Sequence, residues 1–204
     1  MSENLGRALP NAWVRRIMLA IQDVMGTSGL TTILRQAGLQ RYANSLPPND
    51  QAPGPHAAEY AGLLQAIENY YGRGARGTLT RIGYAAFGRL VASRRLAARL
   101  GRGLWQALPP SGRKLESLRW YARQAATRRG QITVHQDDQH IQVVDHDSHA
   151  SFGRERATPL CWVALGEIQE ALKWGTGVEF EVAEMTCRAK GDAVCRFEVG
   201  EAIG

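Results

Sequence analysis

The hydrophobic period of this chain changes at Gly130, and that change limits what it can fold into more than any other feature. Upstream, apolar residues recur at helical spacing and predict helices over about His56 to Tyr71, Thr78 to Ser93, Leu96 to Leu108 and Ser111 to Arg128. Downstream, Ile132 and Val134, then Ile141 and Val143, alternate with polar residues around Asp137-Asp138, the pattern of a hairpin. One more helix is expected from Thr158, with Thr as N-cap, Pro159 in the first turn, and Cys161, Leu165, Ile168 and Leu172 along one face. Val178, Phe180 and Val182 then form a strand with Glu179 and Glu181 outward, and Gly191-Asp192 turns it into a last strand, Val194 to Val199. Helices first and antiparallel strands afterwards predict an α+β fold, a helical layer packed on a small antiparallel sheet.

Ahead of these elements, Trp13, Ile17, Ala20, Ile21 and Val24 recur at helical spacing between Pro10 and a stop at Gly26. A second short helix, Leu30 to Ala37, follows Ser28 and ends at Gly38. Four prolines between Leu46 and Pro55 are then expected to exclude regular structure. This divides the chain into an N-terminal helical arm (1–45), a proline-rich linker (46–55) and a main domain (56–204). No run of about 18 apolar residues is present and Glu3 precedes any apolar stretch, so neither a membrane span nor a secretory signal is expected, and the cytoplasm is the expected compartment.

Charge is unevenly spread. Between Arg73 and Arg129 the net charge is +13, with Glu116 the single acid, and from Gly130 to Gly204 it is −7. Arginine on the outer faces of helices accounts for such a segment, and its thin aromatic interleaving argues against a nucleic-acid surface.

Three cysteines are an odd number, which favours reduced thiols or metal ligation over a complete disulfide framework. If its strand runs on, Glu184 shares the parity of Val178, Phe180 and Val182 and points inward, where a lone carboxylate is costly without a cationic partner. Cys161 shares a helix face with Leu165 and Ile168, and Cys195 shares parity with Phe197 and Val199. The final hairpin brings Cys187 across from Cys195. Three thiolates and a carboxylate suit tetrahedral Zn²⁺, and with all four positions filled by protein the site would be structural, with Arg188, Lys190 and Arg196 compensating its charge. Spacing alone leaves open that these are three ordinary buried cysteines and a chance acid, because C-x₂-C pairs are absent.

The stretch Ala183-Glu184-Met185-Thr186-Cys187-Arg188-Ala189-Lys190-Gly191-Asp192-Ala193-Val194-Cys195-Arg196-Phe197-Glu198-Val199 closely resembles the C-terminal signature of the 4-vinyl-reductase domain family. Cys161-Trp162-Val163-Ala164-Leu165-Gly166 resembles the matching helix start of that family's phenol-sensing members, and Gly83-Tyr84-Ala85-Ala86-Phe87-Gly88-Arg89 is similar, more weakly, to its glycine-arginine segment. In those sensors zinc is held by a Cys at the helix start, a Glu and two Cys of the final hairpin. The resemblance therefore implies Zn²⁺ on Cys161, Glu184, Cys187 and Cys195. It covers about Glu59 to Val199 and further implies a sensor of aromatic hydrocarbons, often dimeric, working with a signalling or biosynthetic protein partner.

Other signals are weaker. Gly72-Arg73-Gly74-Ala75-Arg76-Gly77 satisfies the dinucleotide fingerprint but follows a helix, with no ribose-binding acid about 20 residues on, so a helix–helix loop is expected. Asp145-His146-Asp147-Ser148-His149 is expected to be an exposed loop. No nucleophile with a base is discernible. The sequence thus points to a binding module for a small apolar, aromatic or tetrapyrrole ligand, acting as sensor or carrier, with Tyr84, Phe87, Trp105, Trp120, His140 and Trp162 as candidate pocket walls. Two other readings stand beside it. Both are what the resemblance implies: a 4-vinyl reductase or accessory protein of bacteriochlorophyll synthesis, and a scaffold that binds partners as vesicle-tethering subunits of related fold do.

Overall fold

Two short strands open the fold: β1 (Ala8–Pro10) pairs antiparallel with β2 (Pro53–His56). The computed structural model describes residues 5–137 and 140–203. Between β1 and β2 runs α1 (Asn11–Gln36), and the first N–H groups of that helix, which lack partners within it, donate to the proline-rich stretch: Asn11 N–H to the Ala52 carbonyl at 3.0 Å and Ala12 N–H to that of Asp50 at 2.8 Å. The expectation that the prolines exclude regular structure therefore fails at Pro53 and Pro55. A two-stranded ribbon has open edges, where a missing N–H costs little.

Gly26, at φ 75° and ψ 171°, breaks α1 where the sequence placed a stop. Both halves of α1 are core. Val14, Ile17, Ile21, Ile33 and Leu34 are buried in the same hydrophobic cluster as Leu63, Leu64, Leu79 and Ile82 of the following helices, so the segment expected as an arm packs against the main body. Among the described residues α1 is the one helix long and apolar enough to cross a membrane by composition, and its apolar face is spent on this core.

Four helices follow: α2 (Ala57–Tyr71), α3 (Ala75–Ser93), α4 (Arg95–Trp105) and α5 (Pro110–Ala125). The glycine-rich Gly72–Gly74 is a single 3-10 turn joining α2 to α3, as a helix–helix loop and not a phosphate cradle. Of the thirteen arginines between Arg73 and Arg129, only Arg89 and Arg113 are half-buried and the rest are exposed, which agrees with a solvated face.

The sheet is antiparallel throughout, in the order β3 (Ile132–Gln136), β4 (Ile141–Asp145), β6 (Cys195–Ala202), β5 (Phe180–Thr186), with α6 (Trp162–Thr176) entering between β4 and β5 in sequence. The β3–β4 hairpin has the expected register, Val134 opposite Val143, although Asp138 of its expected turn lies outside the described residues. Ile141, Val143, Phe180, Val182, Phe197 and Val199 are buried beneath α5 and α6, giving the α+β architecture of a helical layer on a small sheet.

Candidate metal centre

Three chain segments meet at the start of α6. Cys161 is the residue before the helix, not a member of its first turn as expected; its φ of −83° and ψ of 45° are non-helical, while its carbonyl accepts the first helical bond from Leu165 N–H at 3.0 Å. The helix starts later than Thr158-Pro159 predicted, and the Cys161 N–H donates to Glu184 Oε2 at 2.9 Å, a side chain reaching in from β5. The alternation of β5 buries Phe180 and Val182 and leaves Glu181, Ala183 and Met185 exposed, so Glu184 turns inward as its parity required. Val178, expected within that strand, precedes it and is exposed.

Cys187 follows β5 directly, and a 3-10 turn over Arg188–Lys190 with Gly191 in the left-handed region (φ 93°) returns the chain to Cys195, the first residue of β6. One donor atom from each of Cys161, Glu184, Cys187 and Cys195 lies within 4.8 Å of every other. All three cysteines are free thiols and buried at 1% exposure or less. Cys161 Sγ and Cys195 Sγ are 3.5 Å apart. That is far beyond the roughly 2.0 Å of a disulfide and close to the roughly 3.8 Å that sulfurs adopt around a tetrahedral ion at about 2.3 Å. Glu184 Oε1 is buried without a hydrogen-bond partner among the described residues. A buried carboxylate oxygen without a donor is costly, and a cation among the thiols would satisfy it. The donor set fits Zn²⁺.

The electrostatics of these four side chains on one another point the same way. Burial, with Cys187 adding to it, pushes the Glu184 carboxyl up to about 8. Hydrogen bonds from the Cys161 and Cys195 thiols hold Cys187 below the usual thiol range, and the contact with Cys187 drives Cys161 well above it. Cys195, although Cys161 acts to lower it, is pushed up to about 12 by Cys187 and by burial. Four acids packed together without a cation can share little negative charge; a dication reverses that balance and draws the protons off.

Sequence reasoning missed the supporting shell. Asp192 Oδ2 accepts from Cys187 N–H at 2.8 Å, fixing the turn between the two hairpin cysteines, and buried Ser148 Oγ lies 3.4 Å from Cys161 Sγ. Arg188 contributes through its backbone: its N–H donates to Cys195 Sγ at 3.4 Å, while its guanidinium is turned to Asp147 at 3.2 Å. Its charge is thereby spent on Asp147 and not on the cluster. The Asp192 role was accessible from the Gly-Asp turn motif; that of Ser148 was not, since it depends on where the 146–152 segment folds back.

That segment is no exposed loop. Asp147 pairs with Arg7, Arg128 and Arg188; partial burial acts to raise its carboxyl, and these arginines outweigh that and hold it below the usual range. His149 is buried, with Nε2 at 2.9 Å from Thr127 Oγ1 and its ring edge-on to Trp13.

The six candidate pocket residues do not converge. Phe87, Trp105 and Trp120 are buried around Trp174, with ring centroids of 5.8, 5.3 and 4.9 Å from it, and form a filled aromatic core. Tyr84 is exposed on α3 and donates its hydroxyl to Gln169 Oε1 at 2.9 Å. Trp162 lies under Arg76 at the surface, and His140 is near Glu198 on the outer sheet. Helix spacing placed the first three correctly inward; what it could not show is that they would fill the space between themselves.

No protein-family model matches the chain, and no curated protein matches it in sequence. Solved structures do match. An H-NOX protein from S. oneidensis in its Fe(II)–NO state aligns over 93% of this chain and 99% of its own at 12% identity, with a TM-score of 0.59. The phenol-responsive sensory domain of the transcription activator PoxR, solved with phenol, aligns over 74% of this chain and 77% of its own at 19% identity, TM-score 0.51. An oxygen-binding H-NOX domain related to soluble guanylate cyclases aligns over 94% and 93% at 12% identity, TM-score 0.56. Haem iron needs a His, Cys, Met or Tyr ligand facing a cavity. No described His, Cys, Met or Tyr lines the cleft between α1, α3 and α5, the one along 151–157 and 188–191, or the one beside Leu5 and Gly62. These clefts offer no haem ligand, and what these likenesses show is a shared fold.

Proposed function

We propose that this chain is a small-molecule-binding domain, sensor or carrier, whose C-terminal lobe is fixed by a structural Zn²⁺ on Cys161, Glu184, Cys187 and Cys195. The observation that carries the proposal is the convergence of three free buried thiols and one carboxylate oxygen without a partner among the described residues, from the start of α6 and from the β5–β6 hairpin. Bound there, the ion would supply a crosslink between the start of α6, the end of β5 and the start of β6, and the four protein donors leave no position for a reactive water. The shared fold supports the binding role, and the ligand class proposed is a small apolar or aromatic molecule, released unchanged.

Metal analysis of protein purified without chelators, followed by titration of tryptophan fluorescence with phenol, toluene and a chlorophyllide, tests both halves. About one zinc per chain and a saturable change with one ligand class are expected. Absence of zinc overturns the metal assignment, and no response from any ligand at about 0.1 mM, where a site of about −5.5 kcal/mol would be half filled, overturns the binding role.

A further inference from the structure

A cleft of about 510 Å³ opens between α1, α3 and α5, and none of the four clustered metal-ligand candidates lines it. Its size is that of a small-molecule site. Its walls combine an apolar part, with Trp13, Leu19 and Leu90, and arginines; no Asp or Glu among the described residues lines it.

The arginines differ in what they already do. Arg15 donates to the Pro47 carbonyl at 2.8 Å, and Arg89 grips Asp23 through two bonds of 2.5 and 2.6 Å. Arg94 and Arg123 are exposed and make no side-chain hydrogen bond or ion pair among the described residues. Arg16 is the informative one. It is 9% exposed, and a single nitrogen, Nη1, makes all its bonds, to Glu167 Oε1 at 2.8 Å and to the Ala86 carbonyl at 3.3 Å. Its Nη2 is buried and has no partner among the described residues. A guanidinium fork normally engages both terminal nitrogens with a carboxylate or phosphate, and a buried charged donor left unmatched is costly.

We propose that this cleft binds a small organic anion, a carboxylate or phosphate monoester with an apolar body. Arg16 Nη2 is the buried donor to its anionic group, Arg94 and Arg123 are the cations at the mouth, and Trp13 and Leu90 contact the apolar body. Arg16 keeps its ion pair with Glu167 when the anion is bound, because that pair uses Nη1 alone. The site is independent of the zinc proposal and of binding by uncharged aromatics.

Calorimetry on the full chain with benzoate, phenyl phosphate, inorganic phosphate and benzyl alcohol tests it. Saturable one-to-one binding of benzoate or phenyl phosphate is expected, the tighter of the two identifying the anionic group, with benzyl alcohol at least tenfold weaker. The double variant Arg94→Ala/Arg123→Ala, both surface positions without partners, should weaken that binding about tenfold or more. Arg16→Lys, checked for an unchanged melting temperature, should do the same. No saturable heat from either organic anion up to about 10 mM overturns the site. So does unchanged affinity in the double variant, and equal affinity for inorganic phosphate overturns the role of the apolar wall. Benzyl alcohol binding as tightly as benzoate overturns this inference while leaving the proposed apolar-ligand role standing.

Discussion

Gly83 of α3 and Gly166 of α6 meet backbone to backbone: a Cβ added to Gly83 would lie 2.2 Å from the Val163 carbonyl oxygen, and one added to Gly166 would lie 2.2 Å from that of Thr80. Helical backbone cannot swing aside as a side chain can, so the close crossing exists only because both positions lack a side chain. Since α6 begins just after Cys161, this crossing sets where the first metal-ligand candidate stands relative to the sheet.

Gly83→Ala is therefore expected to destabilise the protein by about 3 kcal/mol through overpacking. Gly88, on the same helix, is the control, because a Cβ added there would have nothing within 4 Å. Gly88→Ala should be neutral or stabilising by up to about 1 kcal/mol, by helix propensity alone. Urea denaturation of the two variants measures both, and a Gly83→Ala cost under about 1 kcal/mol would show that the helices can separate cheaply.

This pair marks the boundary of what the sequence could say. Periodicity placed α3, and the Gly83 to Arg89 segment stood out only as a resemblance; that Gly83 is a contact surface depends on which helix crosses there, a long-range fact that local spacing does not encode. The proline-rich stretch misled for the same reason. Its composition describes a linker, and only pairing with the distant Ala8–Pro10 strand makes it part of a ribbon that ties α1 into the core.

Substitution of Glu184, Cys187 and Cys195 should separate thiolate from carboxylate ligands. Cys187→Ser and Cys195→Ser are expected to lose zinc on dialysis and to melt well below the parent, because the free energy of metal binding is folding free energy. Glu184→Gln should retain more metal, since an amide oxygen can still ligate weakly. Asp192→Ala leaves every ligand in place but frees the Cys187 N–H, and about 10- to 100-fold weaker zinc binding is expected, read by competition with a chelating dye. Equal zinc retention by all four variants would mean that the metal is held elsewhere.

The candidate metal centre was legible because strand parity and one turn fix it: Glu184 and Cys195 face inward by alternation, and Gly191-Asp192 brings Cys187 back beside Cys195. The pocket residues were not legible. Aromatic side chains at helix spacing are buried whether they line a cavity or fill it, and Phe87, Trp105, Trp120 and Trp174 fill it. The arginine-lined cleft escaped for a third reason, that Arg16 reads as one more charge on an apolar helix until its half-used guanidinium is seen beside Glu167.

Buried His149 supplies a pH prediction with a definite sign. Burial is the largest influence on it and lowers its pKa from 6.5 to about 4, so the folded state holds the ring neutral where the unfolded chain would protonate it. Above pH 6.5 both states are neutral and the group is silent. As pH falls from 6.5 towards 4 the unfolded state binds the extra proton and stability is lost, by about 2–3 kcal/mol at one pKa unit per roughly 1.4 kcal/mol. Asp145, pushed up to about 6 by burial, acts in the opposite direction over part of the same range, so the stability curve of the parent protein alone is not diagnostic. The difference between the parent and His149→Gln isolates the effect. Above pH 7 that difference is the constant cost of losing ring packing against Trp13 and the contact with Thr127. Between pH 6.5 and 4 it should shrink by about 2–3 kcal/mol, because the glutamine variant has no imidazole to titrate. Urea denaturation of metal-loaded protein at about pH 7.5, 6, 5 and 4.5 reads it directly, and a difference that stays flat across that range would mean that His149 takes up its proton in the folded protein as readily as in the unfolded chain.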